Sequence, residues 1–378
     1  MDTLTHALSG ALAARATAPE RARISAAARV GAGFLACAFP DTDVILSYIS
    51  PITYLTQHRG VTHSIFLLPV WALLLAWLFA KIHRDHQVSW RDYFGVCALA
   101  LGFHIAGDLI TSFGTMIYAP FSDARVAWGT TFIIDLWLTG IIVAALAAAW
   151  AWRRSRAPAV VGLAVLASYI GFQAVQKERA IGFGERYAET QGFDDARVSA
   201  LPRPVSPFNW MVMLTEGHRY HYANVNLARE TPLAPLGTQS GLIARLNAAY
   251  APLREAQWTT VHKYGAGPDE RELAARVLAH PKLGFYRWFA DYPALYRIDR
   301  DNPSICVWFE DLRFSIPGRD SNLFRYGLCS QGAPDSPNAQ HRGREGAASP
   351  RPDGVSSGAP GEWRVFRLLD HGGRERLD

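Results

Sequence analysis

Long apolar segments alternate with short polar ones through the first half of the chain. Residues 62–80 contain one ionisable residue, His63, and residues 157–176 contain no charged residue. A membrane-spanning helix needs about 20 predominantly apolar residues, so segments of this kind are typical of spans rather than of a soluble core. The pattern therefore predicts five spans, over residues 30–50, 62–82, 93–113, 131–152 and 157–175.

A shorter apolar segment precedes these spans at residues 4–16. As a helix it would extend about 20 Å, whereas the hydrocarbon core of a bilayer is about 30 Å thick. We expect a half-spanning helix that packs against the others and enters from the outer side.

Lysine and arginine in the short loops indicate the orientation. Ten basic residues follow the N-terminal segment, the second span or the fourth span, whereas the alternate loops 51–61 and 114–130 hold only Arg59 and Arg125. Basic loops stay in the cytoplasm. The chain from Lys177 onward is therefore expected outside the cytoplasm.

That second half shows strand and helix patterns of a small α+β domain. We predict strands at 209–215, 219–227, 304–310, 312–315 and 323–330, and helices at 241–249 and 268–279. Residues 331–362 are rich in Gly, Pro, Ser and Ala, a composition typical of disorder. The predicted organisation is an all-α polytopic membrane domain (1–176), an extracytoplasmic α+β domain (177–330) and a disordered tail (331–378).

The overall composition hides the difference between the apolar first half and the polar second half of the chain. The 378 residues are 49% hydrophobic and 19% charged with a net charge of +5, values that resemble a soluble protein only on average. The basic residues lie beside the spans, which argues against a nucleic-acid partner. Cys306 and Cys329 could pair if the second half is exported.

Ionisable groups within apolar spans are costly and therefore indicate function. His104 and Asp108 are four residues apart and project from one helical face. Pro40 disfavours helix before Asp41 and Asp43, and in an extended chain both carboxylates would point the same way. Mixed His and Asp ligands suit Zn²⁺, or Mn²⁺, better than Ca²⁺ or Mg²⁺.

Seven such residues converge on one depth of the membrane, and His6 shares that depth if its helix enters from the outer side. We predict metal ligands at His6, Asp43, His63, His104 and Asp108, and further ligands, positioning groups or a general base at Asp41, His58 and Asp135. Other interpretations stay open: a hydrogen-bonded packing histidine at position 6, a helix cap at Asp135, binding of backbone N–H groups by Asp41 and Asp43, or a proton relay formed by His104 and Asp108. His83 and His86 are expected to be solvated, and His218 and His221 are not expected to be ligands.

Four motifs in order resemble the bacterial YdjM-type inner-membrane proteins: Thr5-His6-Ala7-Leu8-Ser9-Gly10, Phe39-Pro40-Asp41-Thr42-Asp43, His58-Arg59-Gly60-Val61-Thr62-His63-Ser64, and His104-x-x-x-Asp108-x-x-Thr111-Ser112-x-Gly114-Thr115. The resemblance implies a membrane-bound metal-dependent hydrolase. It also implies a distant similarity to zinc-dependent phospholipase C and P1-type nucleases, although the later His-x-x-x-Glu of those enzymes is missing here.

The leading hypothesis is a metal-dependent hydrolase near the outer face of the inner membrane, with a lipid or lipid-linked substrate. Thr111, Ser112 and Thr115 could donate hydrogen bonds to that substrate. The alternative is a non-enzymatic transporter or scaffold. Transporters commonly show paired broken helices, and the sequence shows one break, at Pro40.

Overall fold

A computed structural model describes residues 1–20, 22–83, 85, 87–233, 240–301, 304–317, 322, 324–330, 363–369 and 372–377. The chain forms two compact units. One comprises residues 1–214 with 222–259, and the other residues 215–221 with 260–378.

The first unit begins with seven α-helices in the described chain: α1 (Thr3–Ala16), α2 (Ala26–Ala38), α3 (Pro51–Gln57), α4 (Leu68–Ile82), α5 (Trp90–Leu109), α6 (Leu136–Ala151) and α7 (Ala157–Gln191). A 3-10 helix, Phe39–Tyr48, continues α2 directly, and a 3-10 turn covers Val61–His63. Polar side chains cap several helices, as the Asp2 carboxylate does for α1 and Ser25 for α2.

Helices α1 and α2 pack closely because glycines face each other. A Cβ atom added to Gly10 would lie 2.3 Å from the carbonyl oxygen of Gly33, and one added to Gly33 would lie 2.6 Å from that of Gly10. Small residues allow helix backbones to approach in this way within membranes. The contact fixes α1, and with it His6, against the rest of the helical layer.

The far end of α1 lies among the predicted cytoplasmic loops. The Arg15 guanidinium donates to the carbonyl oxygens of Arg153 and Ser155, at 2.9 Å and 2.7 Å. Arg29 donates to the carbonyl oxygen of Ala14 at 3.1 Å. Residues from two of these loops thus meet at the end of α1 opposite His6.

The prediction of five spans is not supported. Two continuous helical segments of the described chain are long and apolar enough to cross a membrane, Ala26–Tyr48 and Ala157–Gln191. A third is possible if Pro51–His63 and Leu68–Ile82, which meet at a 78° bend, count as one broken span. Helix α6 is apolar but short, since Asp135 caps its start and the residues before Leu136 are not helical.

The first unit also contains most of a five-stranded sheet. Its strands are β1 (Arg197–Pro202), β2 (Asn209–Glu216), β3 (Arg219–Asn226), β4 (Ala251–Pro252) and β5 (Thr259–His262), in the order β1-β2-β3-β4 with β5 pairing to β3. Gly217, at φ +56°, permits the tight turn of the predicted hairpin between β2 and β3. A short helix, α8 (Leu242–Ala248), precedes β4.

The second unit holds helices α9 (Pro268–Ala279) and α10 (Gly284–Phe289) and an antiparallel sheet. The sheet contains β6 (Pro293–Asp301), β7 (Ser304–Asp311), β8 (Arg325–Cys329), β9 (Arg364–Leu368) and β10 (Arg374–Arg376), in the order β10-β9-β8-β7-β6. A disulfide joins Cys306 and Cys329, which are directly opposed on β7 and β8.

A buried ion pair ends β7. The Arg313 Nη2 atom lies 2.7 Å from Asp311 Oδ2, and its Nη1 atom lies 2.8 Å from Asp291 Oδ2. Burial lowers the pKa of Arg313, but the two carboxylates more than offset it and raise that pKa overall. The predicted strand at 312–315 is wrong, because Leu312–Phe314 forms a 3-10 turn that brings Arg313 back onto Asp311.

The tail prediction is also wrong in part. Strand β9 pairs with β8, and Val365 and Phe366 are buried, so the apolar residues after 362 complete the sheet. Residues 331–362, for which disorder was predicted, lie outside the described residues.

Candidate metal centre

Four ligand-type side chains from three separate motifs converge in the helical layer. Asp41, His63, His104 and Asp108 each offer one ligand atom, and these four atoms lie within 4.8 Å of one another. The His63 and His104 Nε2 atoms are 2.9 Å apart. Asp108 Oδ2 lies 3.1 Å from the first nitrogen and 3.6 Å from the second. Asp41 Oδ1 lies 3.9 Å and 3.6 Å from the same two nitrogens.

Hydrogen bonds on the far side of each ring determine which nitrogen faces the centre. The His104 Nδ1 atom lies 2.6 Å from the carbonyl oxygen of Cys37, an acceptor, so Nδ1 donates. The Thr62 hydroxyl donates to Asp43, which leaves its oxygen to accept from His63 Nδ1 at 2.9 Å. This network assigns the neutral tautomer with a lone pair on each Nε2. Two lone pairs facing each other at 2.9 Å require a proton or a cation between them.

Asp108 is oriented by donors on one of its two oxygens. Asp108 Oδ1 lies 3.0 Å from His6 Nε2, 3.0 Å from Arg59 Nη2 and 2.6 Å from the Met1 amine. Its other oxygen, Oδ2, is buried and faces the Nε2 atoms of His63 and His104, which in the assigned tautomers carry lone pairs and cannot donate to it. Asp41 Oδ2 is likewise buried without a hydrogen-bond donor. A buried carboxylate oxygen without a donor is costly. A divalent cation bound by these residues would remove that cost, so the donor set fits a metal ion.

Asp43, predicted as a ligand, has different partners. Its Oδ1 atom lies 2.8 Å from His58 Nδ1, and its Oδ2 atom accepts from the Arg59 backbone N–H at 3.0 Å. It lies 3.8 Å from His63 Nδ1, on the side of the ring away from the centre. The extended chain predicted after Pro40 is wrong: residues 39–48 form a 3-10 helix, with proline accommodated in its first turn. Three residues per turn send Asp41 and Asp43 in different directions.

His6 lies beside the four-residue group rather than within it. Its ring stacks on His104, with centroids 3.8 Å apart, and its Nε2 is bonded to Asp108. Its Nδ1 atom has no hydrogen-bond partner. His6, Cys37 and His104 form a second group whose ligand atoms lie within 4.8 Å of one another.

Asp135 acts as the cap of α6. Its Oδ1 atom accepts from the backbone N–H groups of Trp137 and Leu138, and both carboxylate oxygens accept from the Tyr169 hydroxyl. These contacts support the capping interpretation. The proposed role of Asp135 as a ligand or base gains no support from them.

Arg59 was counted only as a loop residue in the sequence, yet its side chain is buried. It bonds Asp108 and the Thr111 hydroxyl, the latter at 3.1 Å, and lies over the Phe113 ring. Its backbone has φ +61°, an uncommon conformation outside glycine, and it turns the side chain inward. The signal in the sequence was its position between His58 and His63, inside a motif of polar residues.

The comparisons with known proteins concern this helical part. Residues 1–180 match the model of the YdjM inner membrane protein family. The chain is also 25% identical over 183 residues to "Uncharacterized protein YfhP" of Bacillus subtilis (strain 168), which covers 48% of this chain. The chain spans about half (54%) of that relative's length.

No solved structure matches the chain. The match of residues 1–180 to the family model confirms the resemblance to YdjM-type proteins inferred from the motifs. Together with the long apolar helices, this match supports a membrane protein. The distant similarity to phospholipase C and P1-type nucleases is not shown.

Proposed function

We propose that the protein is a membrane-embedded, metal-dependent hydrolase with a lipid or lipid-linked substrate. The observation that carries this proposal is the convergence of Asp41, His63, His104 and Asp108, with two imidazole lone pairs and two unpartnered carboxylate oxygens at one point.

These four residues would hold the metal ion. Two imidazole nitrogens and two carboxylates form a set that suits Zn²⁺, or Mn²⁺. When bound, such an ion would act as a Lewis acid on a carbonyl or phosphoryl oxygen of the substrate and lower the pKa of water. His6 and Arg59 would keep Asp108 oriented, with one oxygen toward the ion.

His58 is placed to move a proton. Asp43 accepts from its Nδ1 at 2.8 Å, which directs the lone pair of Nε2 outward from the pair. The His58 ring centroid lies 6.1 Å from that of His63, beside the four-residue group. In our proposal, His58 Nε2 accepts the proton from the attacking water while Asp43 stabilises the resulting imidazolium, as in other Asp–His pairs.

Exposure indicates where a substrate would enter. Asp41 and His58 retain 13% exposure of their side chains, whereas His63, His104 and Asp108 have none. On the same 3-10 helix as Asp41, the apolar Ile45 is 65% exposed. An exposed apolar side chain on the element that carries Asp41 supports an amphiphilic substrate that approaches from the lipid phase.

We further propose that the centre lies near the outer face and that the α+β region is extracytoplasmic. The disulfide between Cys306 and Cys329 supports this location, since disulfides persist in oxidising compartments. A reporter fused after Gly182 should be active only outside the cytoplasm. Activity of that fusion in the cytoplasm would reverse the orientation.

The alternative is a non-enzymatic membrane protein in which these groups handle ions or maintain structure. The complete burial of three of the four residues favours it, because a substrate must reach a reactive atom. The two candidates differ in their products: hydrolysis releases a new molecule, whereas transport and structure do not.

The experiment uses the full-length protein reconstituted in vesicles of total bacterial membrane lipid, loaded with Zn²⁺ or Mn²⁺. We expect cleavage products in chromatograms of the lipid extract, absent with a chelator and strongly reduced in Asp41→Asn, but unchanged in His83→Ala. The His83 ring contacts Tyr93 instead, at 2.8 Å, and serves as the matched control. Metal binding without any product would favour the alternative.

A further inference from the structure

Helix α8 presents an apolar surface that nothing in the described chain covers. None of its residues is buried, and Leu242 and Ile243 at its start are 55% and 58% exposed. Neighbouring exposed aliphatic side chains of this kind mark an interaction site more often than isolated exposed residues do.

Residues 205–208, which precede the strand that is hydrogen-bonded to α8, contact the ends of two apolar helices. Phe208 contacts Phe172 of α7, with ring centroids 5.6 Å apart, and Phe172 belongs to the apolar part of that helix. The Trp137 indole, in the first turn of α6, donates to the Val205 carbonyl oxygen at 3.1 Å. Tryptophan is enriched where spans meet the aqueous phase. Residues 205–208 therefore lie near the membrane surface.

Direct hydrogen bonds connect α8 to this region. The Asn209 side chain donates to Asn247 Oδ1 at 3.1 Å, and Arg229 donates to the Asn247 carbonyl oxygen at 3.2 Å. Asn247 is in the last turn of α8, and Ile243 precedes it by four residues, about 6 Å along a helix. Ile243 is thus about one helical turn from the residue through which α8 is bonded to the segment next to Phe208.

We propose that α8 lies on the lipid surface, with Leu242 and Ile243 in the boundary between head groups and acyl chains. Amphipathic helices at membrane surfaces insert their apolar side about 5–10 Å into that boundary. The exposed Arg245 on the same helix complements anionic head groups. The occupant is therefore a phospholipid surface, and the proposal is independent of the hydrolase activity.

The test places one fluorophore on the full-length protein in nanodiscs containing anionic phospholipid. The background is Cys37→Ala with Cys97→Ala, which leaves the disulfide intact, and an environment-sensitive label is attached to Ile243→Cys. The matched control is Gln257→Cys, an exposed polar position of the same unit. Lipids carrying spin labels at a shallow or a deep acyl position serve as quenchers.

We expect blue-shifted emission from the label at position 243. The shallow quencher should reduce its fluorescence intensity by more than half, and the deep quencher should reduce it less. Position 257 should show neither effect. Emission at 243 that matches the control would overturn the proposal. Blue-shifted emission that lipid quenchers do not reduce would also overturn it, because the helix would then be covered by protein, such as a second copy.

Discussion

The role of His6 gives the sharpest quantitative test of the geometry of the centre. In the structure His6 Nε2 donates to Asp108 Oδ1 at 3.0 Å and the ring stacks on His104, so we expect His6 to position ligands rather than to be one. Residues that orient metal ligands typically change affinity by about 10- to 100-fold when removed. Since each tenfold change corresponds to about 1.4 kcal/mol, His6→Ala should weaken metal binding by about 1.4 to 2.8 kcal/mol.

The assay is competition between the detergent-solubilised protein and a chromophoric chelator, with Zn²⁺ or Mn²⁺. His104→Ala should lose measurable binding, His6→Ala should bind with the intermediate affinity given above, and His83→Ala should behave as the native chain. Restoration of most of the affinity in His6→Gln, which can still donate to Asp108, would support positioning through that contact. If His6→Ala loses binding as completely as His104→Ala, His6 is itself a ligand and the reasoning is refuted.

Three predictions concern stability. Gly33→Ala should separate α1 from α2 and lower both the melting temperature and metal affinity, whereas Gly31→Ala, whose Cβ would meet nothing within 4 Å, should change neither property. Arg313→Met should destabilise the protein by about 3–5 kcal/mol, because it leaves Asp311 buried without its partner, and a denaturant titration that showed no loss would refute the importance of the pair. Cys329→Ser should cost about 2–5 kcal/mol in the same titration, and an unchanged midpoint would mean that the disulfide is dispensable.

The sequence predicted the helical spacing of the centre better than its details. His104 and Asp108 lie four residues apart on α5, and regular helix geometry alone brings them to one face. That Asp41 rather than Asp43 faces the four-residue group was not predictable from regular geometry. The difference between extended chain and a 3-10 helix after Pro40 decides which carboxylate reaches the centre, and local preferences do not distinguish them reliably there.

Long-range contacts explain the remaining differences. From the sequence, the charge of Arg59 and its place in a loop indicate only membrane orientation. No sequence pattern predicts a positive φ at a non-glycine residue, and so the contact of Arg59 with Asp108 is visible only in the structure. Strand β9 follows a long stretch of low-complexity sequence, and only pairing with β8 reveals that Val365 and Phe366 belong to a core. The hairpin at Gly217 was predicted because its turn and its alternating strands are local.

The most direct test of the central claim is the metal content of the purified full-length protein. Measured by mass spectrometry after extensive dialysis in detergent, it should be about one divalent ion per chain, and the ion should be lost from a His104→Ala, Asp108→Asn double variant. Circular dichroism and gel filtration of the variant check that it remains folded. A native chain without bound metal after dialysis against Zn²⁺ or Mn²⁺, or a folded double variant with undiminished content, would contradict a metal centre at these residues.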